Sequence, residues 1–385
     1  LSKRSCENGF KKFEVIFARS SKRTALRILK TNLFSNKGSF ETTTFPKKLV
    51  STLLYKNFGG SMKNHLVDIN IDSFNSALME LPQPSVIEVR TIDRADGYRL
   101  PLSHCVAIKV QYEQIQAEGF GEASTYEIAY AKALSEAYER FAFYYSARLG
   151  IKSGSSNGWA SHLTSELALE SAVYEIIERD VAIKAWQNFG PYLRIPQSLW
   201  PSQLAIWEKS KPGDLEFNKI EVLLSYNQNG ACVSVLLLNG KNNFVSGHAS
   251  GLNLTDTILS AAQECFRAAH LALRFEYFGE VRRLHSTGYE NEKPFEPGVH
   301  ALAYAYLASL PDRIAFENCD EVSIISFWNN HKVQATKWVN QARQLFFKVA
   351  DRIVVKTEIE NISKMYWGRT NDRDQNTNKH PHIVG

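Results

Sequence analysis

The sequence is poor in cysteine, and its cysteines form no pattern. Five are scattered over 385 residues, at Cys6, Cys105, Cys232, Cys265 and Cys319, with no C-x-x-C among them. An odd, irregular set argues against a disulfide framework and a thiolate zinc site, and favours a reducing cytoplasm. Long apolar runs are missing as well. Nothing approaches 18 continuous apolar residues, and the N-terminal stretch holds no short apolar run with a cleavage site. Neither a membrane span nor a signal peptide is therefore expected. The ten histidines include no H-E-x-x-H. There is no G-x-x-x-x-G-K-[ST], no G-x-G-x-x-G after a strand and no kinase-type catalytic loop. Any nucleotide site in this chain is therefore an unconventional one.

Acidic residues are scarce in one region. Residues 1–60 hold 13 Lys and Arg against 3 acids, a balance of +10, while the whole chain carries +5. A basic arm for nucleic acid is one reading. The stretch is also rich in Ser, Thr, Asn and Phe, has weak periodicity, and precedes the first methionine, Met62. It is expected to lie outside the functional domain, which makes a nucleic-acid partner unlikely from residues 1–61 alone. Residues 62–366 form the expected domain, and 367–385 a polar tail. With 44% hydrophobic and 22% charged residues, the chain has an ordinary globular composition and is long enough for a large core.

What the sequence does contain is a segment repeated three times in one frame. Gly119, Gly158 and Gly247 each stand 17 positions before a glutamate (Glu136, Glu175, Glu264), and Ala133, Ala172 and Ala261 stand three before it. The first two copies add a second acid and an arginine, Glu139-Arg140 and Glu178-Arg179. The third has Arg267 where the second acid would be. Each copy reads as a glycine-containing loop entering a helix, with glutamates at i and i+3 on one face. A single ExxER is ordinary helix surface. Three in one frame predict that five carboxylates meet, which requires cations among them. Hard oxygen ligands select magnesium, commonly together with substrate phosphates. Arg179 and Arg267 suit phosphate oxygens, and the glycines would let backbone approach an anion.

Around these copies, residues 74–81 read as a short helix, and 86–92 and 105–112 as strands. The repeat helices are expected at 125–148, 165–187 and 255–275. Ser124 to Glu127 opens the first as a capping box. A helix at 202–209, a hairpin over Asn227-Gln228-Asn229-Gly230, a strand at 244–246, helices at 300–308 and 333–349 and a strand at 352–356 complete the reading. The class is α+β, with repeated strand-loop-helix units around a central cavity. The aromatic run at 141–145 is read as core, Asp180 as a cap or a partner of Arg179, and His248 and His270 as secondary candidates.

At these residues the chain resembles the YcaO family. Ser156-Asn157-Gly158-Trp159-Ala160 with Glu175-Ile176-Ile177-Glu178-Arg179 is similar to the family signature. Gly119-Phe120-Gly121 with Glu136-Ala137-Tyr138-Glu139-Arg140 is similar to the block before it. The resemblance spans roughly 86–280, more weakly to about 356. It implies ATP- and Mg2+-dependent phosphorylation of peptide backbone amides, giving azolines in a ribosomally made peptide. Its alternatives are thioamide formation, a role linked to ribosomal-protein modification, or a divergent member that binds without turnover. Carried over by position, Glu136, Glu139, Glu175, Glu178 and Glu264 would be metal ligands. Arg179, Arg267, Asn157 and Ser156 would contact the nucleotide. A precursor peptide and a leader-peptide-binding protein are the implied partners, and a homodimer is compatible with the pattern. The departures are His162-Leu163 for Gly-Asn, Leu167 for a Glu, and Ser260 for a basic residue.

Overall fold

In the computed structural model, residues 78–92, 97–151, 157–188, 190–240, 244–272, 314–360 and 362 are described. The expected N-terminal segment 1–61, the tail 367–385, the helix at 300–308 and Ser156 lie outside them. Twelve strands form three sheets among the described residues. β2 (Ser85–Thr91), β3 (His104–Tyr112) and β4 (Ile115–Ala123) make one antiparallel sheet. β1 (Leu78–Glu80), β11 (Arg343–Val349), β12 (Arg352–Glu358) and β5 (Trp159–His162) make the second, in that order. β10 (Phe316–Asn318), β6 (Tyr192–Arg194), β7 (Lys219–Asn227), β8 (Gly230–Leu238) and β9 (Phe244–Ala249) make the third.

Among the described residues five α-helices pack on these sheets: α1 (Tyr126–Arg148), α2 (Ser165–Gln187), α3 (Ser202–Ser210), α4 (Leu254–Ala272) and α5 (Glu321–Gln341). The class is α+β, as the sequence indicates. α1 buries Ala129, Ala133, Ala137 and Phe141 between Val106, Ile108 and Val110 of β3 and Phe347 and Val354 of the second sheet. α2 lies between the second and third sheets. Ala168 and Ala172 meet Ala160 and Val355, while Val173, Ile177 and Val181 share a cluster with Cys232, Leu236 and Leu238 of β8. The other face of β8, with Val233, Val235 and Leu237, shares a core with Ile258, Ala262 and Phe266 of α4. Burial on both faces explains why β8 is apolar on both faces without alternation, broken only by the buried Ser234.

Several expectations are corrected. Residues 78–80 are a strand, held by parallel pairing of Leu78 and Met79 with Phe346 and Phe347. The helix placed at 333–349 begins at Glu321, capped by Asp320. It ends at Gln341, because alternation of buried Leu345, Phe347 and Val349 has period two and makes β11. α1 is capped one residue later than the capping-box pattern implies. The Thr125 side chain accepts from Ile128 N–H, so Glu127 falls inside the first turn. The carboxylate of Asp180 is fully buried beside Lys184 Nζ at 2.7 Å and accepts from Asn227 and Asn229. It therefore pins the β7–β8 hairpin.

His331 of α5 ties these layers together. Its Nδ1 accepts from Ala231 N–H at 3.1 Å, which leaves the proton on Nε2, 3.2 Å from the Gly251 carbonyl. Burial pushes its pKa from 6.5 down to about 4. The unfolded chain therefore takes up this proton first, and the stability held by neutral His331 is lost as pH falls from about 6.5 towards 4. Urea midpoints should fall across that window in the wild type and fall less in His331→Gln. Equal slopes would refute the assignment.

Candidate functional site

The three copies of the repeat build the same local device. Gly119 on β4 and Gly247 on β9 lie flat against the helix that follows each of them. A Cβ at Gly119 would fall 2.2 Å from Ala133 O and Ala137 N; at Gly247, 2.2 Å from Ala261 O and 2.3 Å from Cys265 N. These glycines are strand residues, so the expected loop approach to an anion is corrected to a backbone approach to a helix. Gly158, just before β5, has φ +71° and faces Thr357 O and Ile176. The first glutamate of each copy then reaches back to the strand. Phe120 N–H donates to Glu136 at 2.6 Å, Gly158 and Trp159 N–H to Glu175 at 2.8 and 3.1 Å, and His248 N–H to Glu264 at 2.8 Å. The spacing of 17 is thus the length of a strand-to-helix return that brings the carboxylate onto the backbone beside its own glycine.

The remaining oxygens of Glu136 and Glu175 face arginine. Arg140 donates to Glu136 at 2.5 Å, and Arg179, with a side chain only 12% exposed, meets Glu175 at 2.6 Å. Arg179 also donates to Asn157 Oδ1 at 2.5 Å, and Lys356 Nζ of β12 donates to the Asn157 carbonyl at 2.6 Å. Phe120 carries two guanidiniums near its ring, Arg140 at 5.9 Å and Arg267 at 6.0 Å, so the first and third copies meet there.

Glu139 and Glu178 differ from the other three. Among the described residues, no hydrogen bond to the Glu139 carboxylate is found; Glu178 accepts from Ser250 N–H. Desolvation by burial pushes both pKa values well above the usual carboxylate range. Neighbouring acids add to this, Glu175 and Glu136 for Glu139 and Glu264 for Glu178, while Arg179 opposes it at both. Burial also raises Glu175 and Glu264, but less. Arg179 and the Gly158 and Trp159 N–H groups pull Glu175 back; Arg267 and His248 N–H do the same for Glu264. Glu136 raises Glu264 in turn. The structure therefore brings all five predicted glutamates into one electrostatic cluster, with Arg179 and Arg267 inside it.

The donor set is carboxylate oxygen throughout, which fits Mg2+. Among the described residues no three His, Cys, Asp or Glu side chains form a ready metal cage. A magnesium that keeps waters and shares substrate phosphates needs none. Leu163 and Leu167 lie at the start of α2, 57% and 43% exposed, and Ser260 is exposed on α4. His248 contributes its backbone here, while its ring is buried against Ser234 and Ser246. His270 is half-buried in the last turn of α4. Arg140 and Lys356 carry site charge that the sequence reading did not assign. Arg140 had a signal, since it repeats Arg179 four residues after the first glutamate. Lys356 had none, because only the β12–β5 pairing brings it there. A separate cavity of about 340 Å3 lies away from the cluster, where Arg194 of its lining is engaged with Glu221.

Comparison with known families matches residues 141–335, half of the chain, to the model described as YcaO cyclodehydratase, ATP- and Mg2+-binding. The chain belongs to the YcaO family. The matched stretch holds the second ExxER core and the third copy, and starts just after the first. Three similar solved structures can be named. One is YcaO from Methanopyrus kandleri bound with AMPPCP and Mg2+, at 15% identity, covering 72% of this chain and 86% of that one, TM-score 0.44. Another is a heterocyclase in complex with substrate and cofactor, at 13%, 77% and 53%, TM-score 0.43, so this YcaO chain spans about half its length. The third is the E. coli microcin synthetase McbBCD complex with pro-MccB17 bound, at 11%, 83% and 99%, TM-score 0.44. No curated protein matches the chain in sequence. None of the described helices is long and apolar enough to cross a membrane.

Proposed function

We propose that this YcaO protein uses ATP to phosphorylate backbone amides of a ribosomally made precursor peptide and so forms azoline rings. The observation that carries the reading is the convergence of five carboxylates from α1, α2 and α4, two of them held at strongly raised pKa, beside three guanidiniums and the Lys356 ammonium. With all five ionised, the carboxylates outnumber these four cations, and a divalent cation would favour that ionised form. Glu139 and Glu178 would hold Mg2+, with Glu136, Glu175 and Glu264 supporting them, and magnesium when bound neutralises triphosphate charge. Arg179, Arg267 and Asn157 would face the phosphates.

In the proposed reaction a Cys, Ser or Thr side chain adds to the preceding amide carbonyl. The resulting oxyanion takes the γ-phosphoryl group from ATP, releasing ADP, and phosphate then leaves as the amide nitrogen loses its proton. An amide oxygen is a poor leaving group, and phosphorylation removes that barrier; the protein supplies positioning and charge stabilisation. A leader-binding partner would present the peptide. The exposed Leu163 and Leu167 favour a second reading, a member that binds nucleotide without turnover, since apolar groups replace polar contacts at the start of α2.

One assay separates the two. The full chain with ATP, Mg2+, precursor peptide and partner should release phosphate and remove one water mass from the peptide per ring. Nucleotide binding without phosphate release would favour the second reading. No binding by calorimetry would overturn both. A gain of sulfur for oxygen when sulfide is supplied would redirect the reading to thioamide formation.

A further inference from the structure

The three repeat helices carry one cation at a corresponding outer position. Four residues before the first glutamate of each copy stand Lys132, Ser171 and Ser260. Residues four and seven apart share a helix face, so Lys132 lies on the face that holds Glu136 and Glu139. It stands two turns, about 10 Å, from Glu139 towards the start of α1. Contacts between α1 and α4 show what this face looks onto. Lys132 interacts electrostatically with Asp256, in the first turn of α4. Further in, Glu136 acts on Glu264, and beyond them Arg140 and Arg267 meet over Phe120. The three levels come in the same order on both helices, so α1 and α4 run side by side. Lys132 and Ser260 are exposed, whereas Glu136 and Glu264 are half-buried. A groove between the helices therefore leads from Lys132 down to the carboxylates, with Ser260 on its α4 wall one turn beyond Asp256.

The Lys132 ammonium is held but not paired. It donates to the Glu122 carbonyl at 3.2 Å, and among the described residues it forms no ion pair. Burial of the ammonium pushes its pKa below the usual lysine value, while Glu122 and Asp256 oppose the shift. A partly desolvated cation without a carboxylate against it favours an anion there. We propose, on the nucleotide reading above, that Lys132 binds a phosphate oxygen of the nucleotide at the outer end of the α1–α4 groove. Phosphates that share Mg2+ with Glu139 and Glu178 lie at the inner end, and the chain they belong to follows the groove outwards. The starts of α1 and α4 favour negative charge along that path. A lysine suits the place, because its flexible stem delivers a point charge over a range of positions. Ser260 leaves the opposite wall uncharged, so an ammonium placed there would meet the same phosphate.

Calorimetry with AMPPCP and Mg2+ on the full chain tests it, with thermal melting as the folding control. Lys132→Ala should weaken binding about tenfold or more, the scale of one hydrogen bond to a charged group, and leave Tm near the wild type. Lys132→Gln, which keeps a donor for Glu122 but no charge, should weaken it alike. Lys132→Arg, which keeps the charge, should retain most of the affinity. Lys132→Ala combined with Ser260→Lys should regain it, because the ammonium then enters from the α4 wall. A lysine that served only the packing of α1 would not be rescued from another helix. A wild type that binds no AMPPCP overturns the nucleotide reading and this one with it. Wild-type affinity in folded Lys132→Ala or Lys132→Gln overturns this proposal alone, as does a double variant that stays as weak as Lys132→Ala.

Discussion

Glu178→Gln should abolish ATP-dependent turnover and yield a protein that melts above the wild type when no ligand is present. Both effects have one cause. The Glu178 carboxylate sits with its pKa well above normal because it is desolvated and faces Glu264. A carboxyl whose folded pKa is raised stabilises the fold fully below its unfolded pKa, about 4.3, and loses that contribution as pH rises through the folded value. Above its unfolded value this buried acid works against the apo protein, and glutamine removes that burden while keeping the shape. The gain in Tm should be visible at pH 8 and vanish near pH 4. With Mg2+ and ATP the order reverses, since ligand stabilises only the form that binds it. Phosphate release should fall by about 100-fold or more, the scale of losing one oriented electrostatic contact in a dry site. Retained turnover, or a variant that melts below the wild type at pH 8, would remove Glu178 from the site. Glu139→Gln should behave alike, because its carboxylate lacks even the Ser250 contact.

A large loss of stability should come from adding one methyl group at Gly247. Its Cβ in Gly247→Ala would stand 2.2 Å from Ala261 O and 2.3 Å from Cys265 N. Both are backbone atoms of α4, so no rotamer change relieves the clash. β9 and α4 would have to separate, stretching the His248 N–H bond to Glu264 and loosening the core shared with β8. Overpacking costs about 1–3 kcal/mol where side chains can give way. Here the upper end or beyond is expected, and Tm should fall by roughly 6–12 °C, at about 2–4 °C per kcal/mol for a domain of this class. Gly119→Ala meets Ala133 and Ala137 in the same manner and should match it. Gly240→Ala, with nothing within 4 Å, serves as the neutral control. A Gly247→Ala protein melting within about 2 °C of wild type would refute this account of the repeat.

The cluster was legible in the sequence because it rests on a spacing, and spacing survives folding. Seventeen residues from Gly to Glu recur only if the strand-to-helix return recurs, so Glu136, Glu175 and Glu264 could be found without coordinates. The meaning of the glycine was misread, because a loop and a strand packed flat on a helix both demand a missing Cβ. Lengths of α2, α3 and the β7–β8 hairpin followed from caps and from Asn-Gly chemistry. β4 was missed, since its Gly119 and Gly121 lower strand propensity and its partner β3 supplies the order. The division of 321–349 into helix and strand was hidden because Val333 to Val349 is apolar under either period. Lys356 and the Arg140–Phe120–Arg267 contact join segments more than 100 residues apart, and no local pattern encodes such meetings.

The backbone bond made by the first glutamate of each copy has an evolutionary side. A carboxylate that holds a helix to its strand stays under selection from the fold even in a descendant that has stopped doing chemistry. The second position makes no such bond to its own strand, and in the third copy it is Arg267. Loss of activity in this lineage would therefore be recorded first at positions 139 and 178, while the glutamates that make the motif recognisable persist as its fossil.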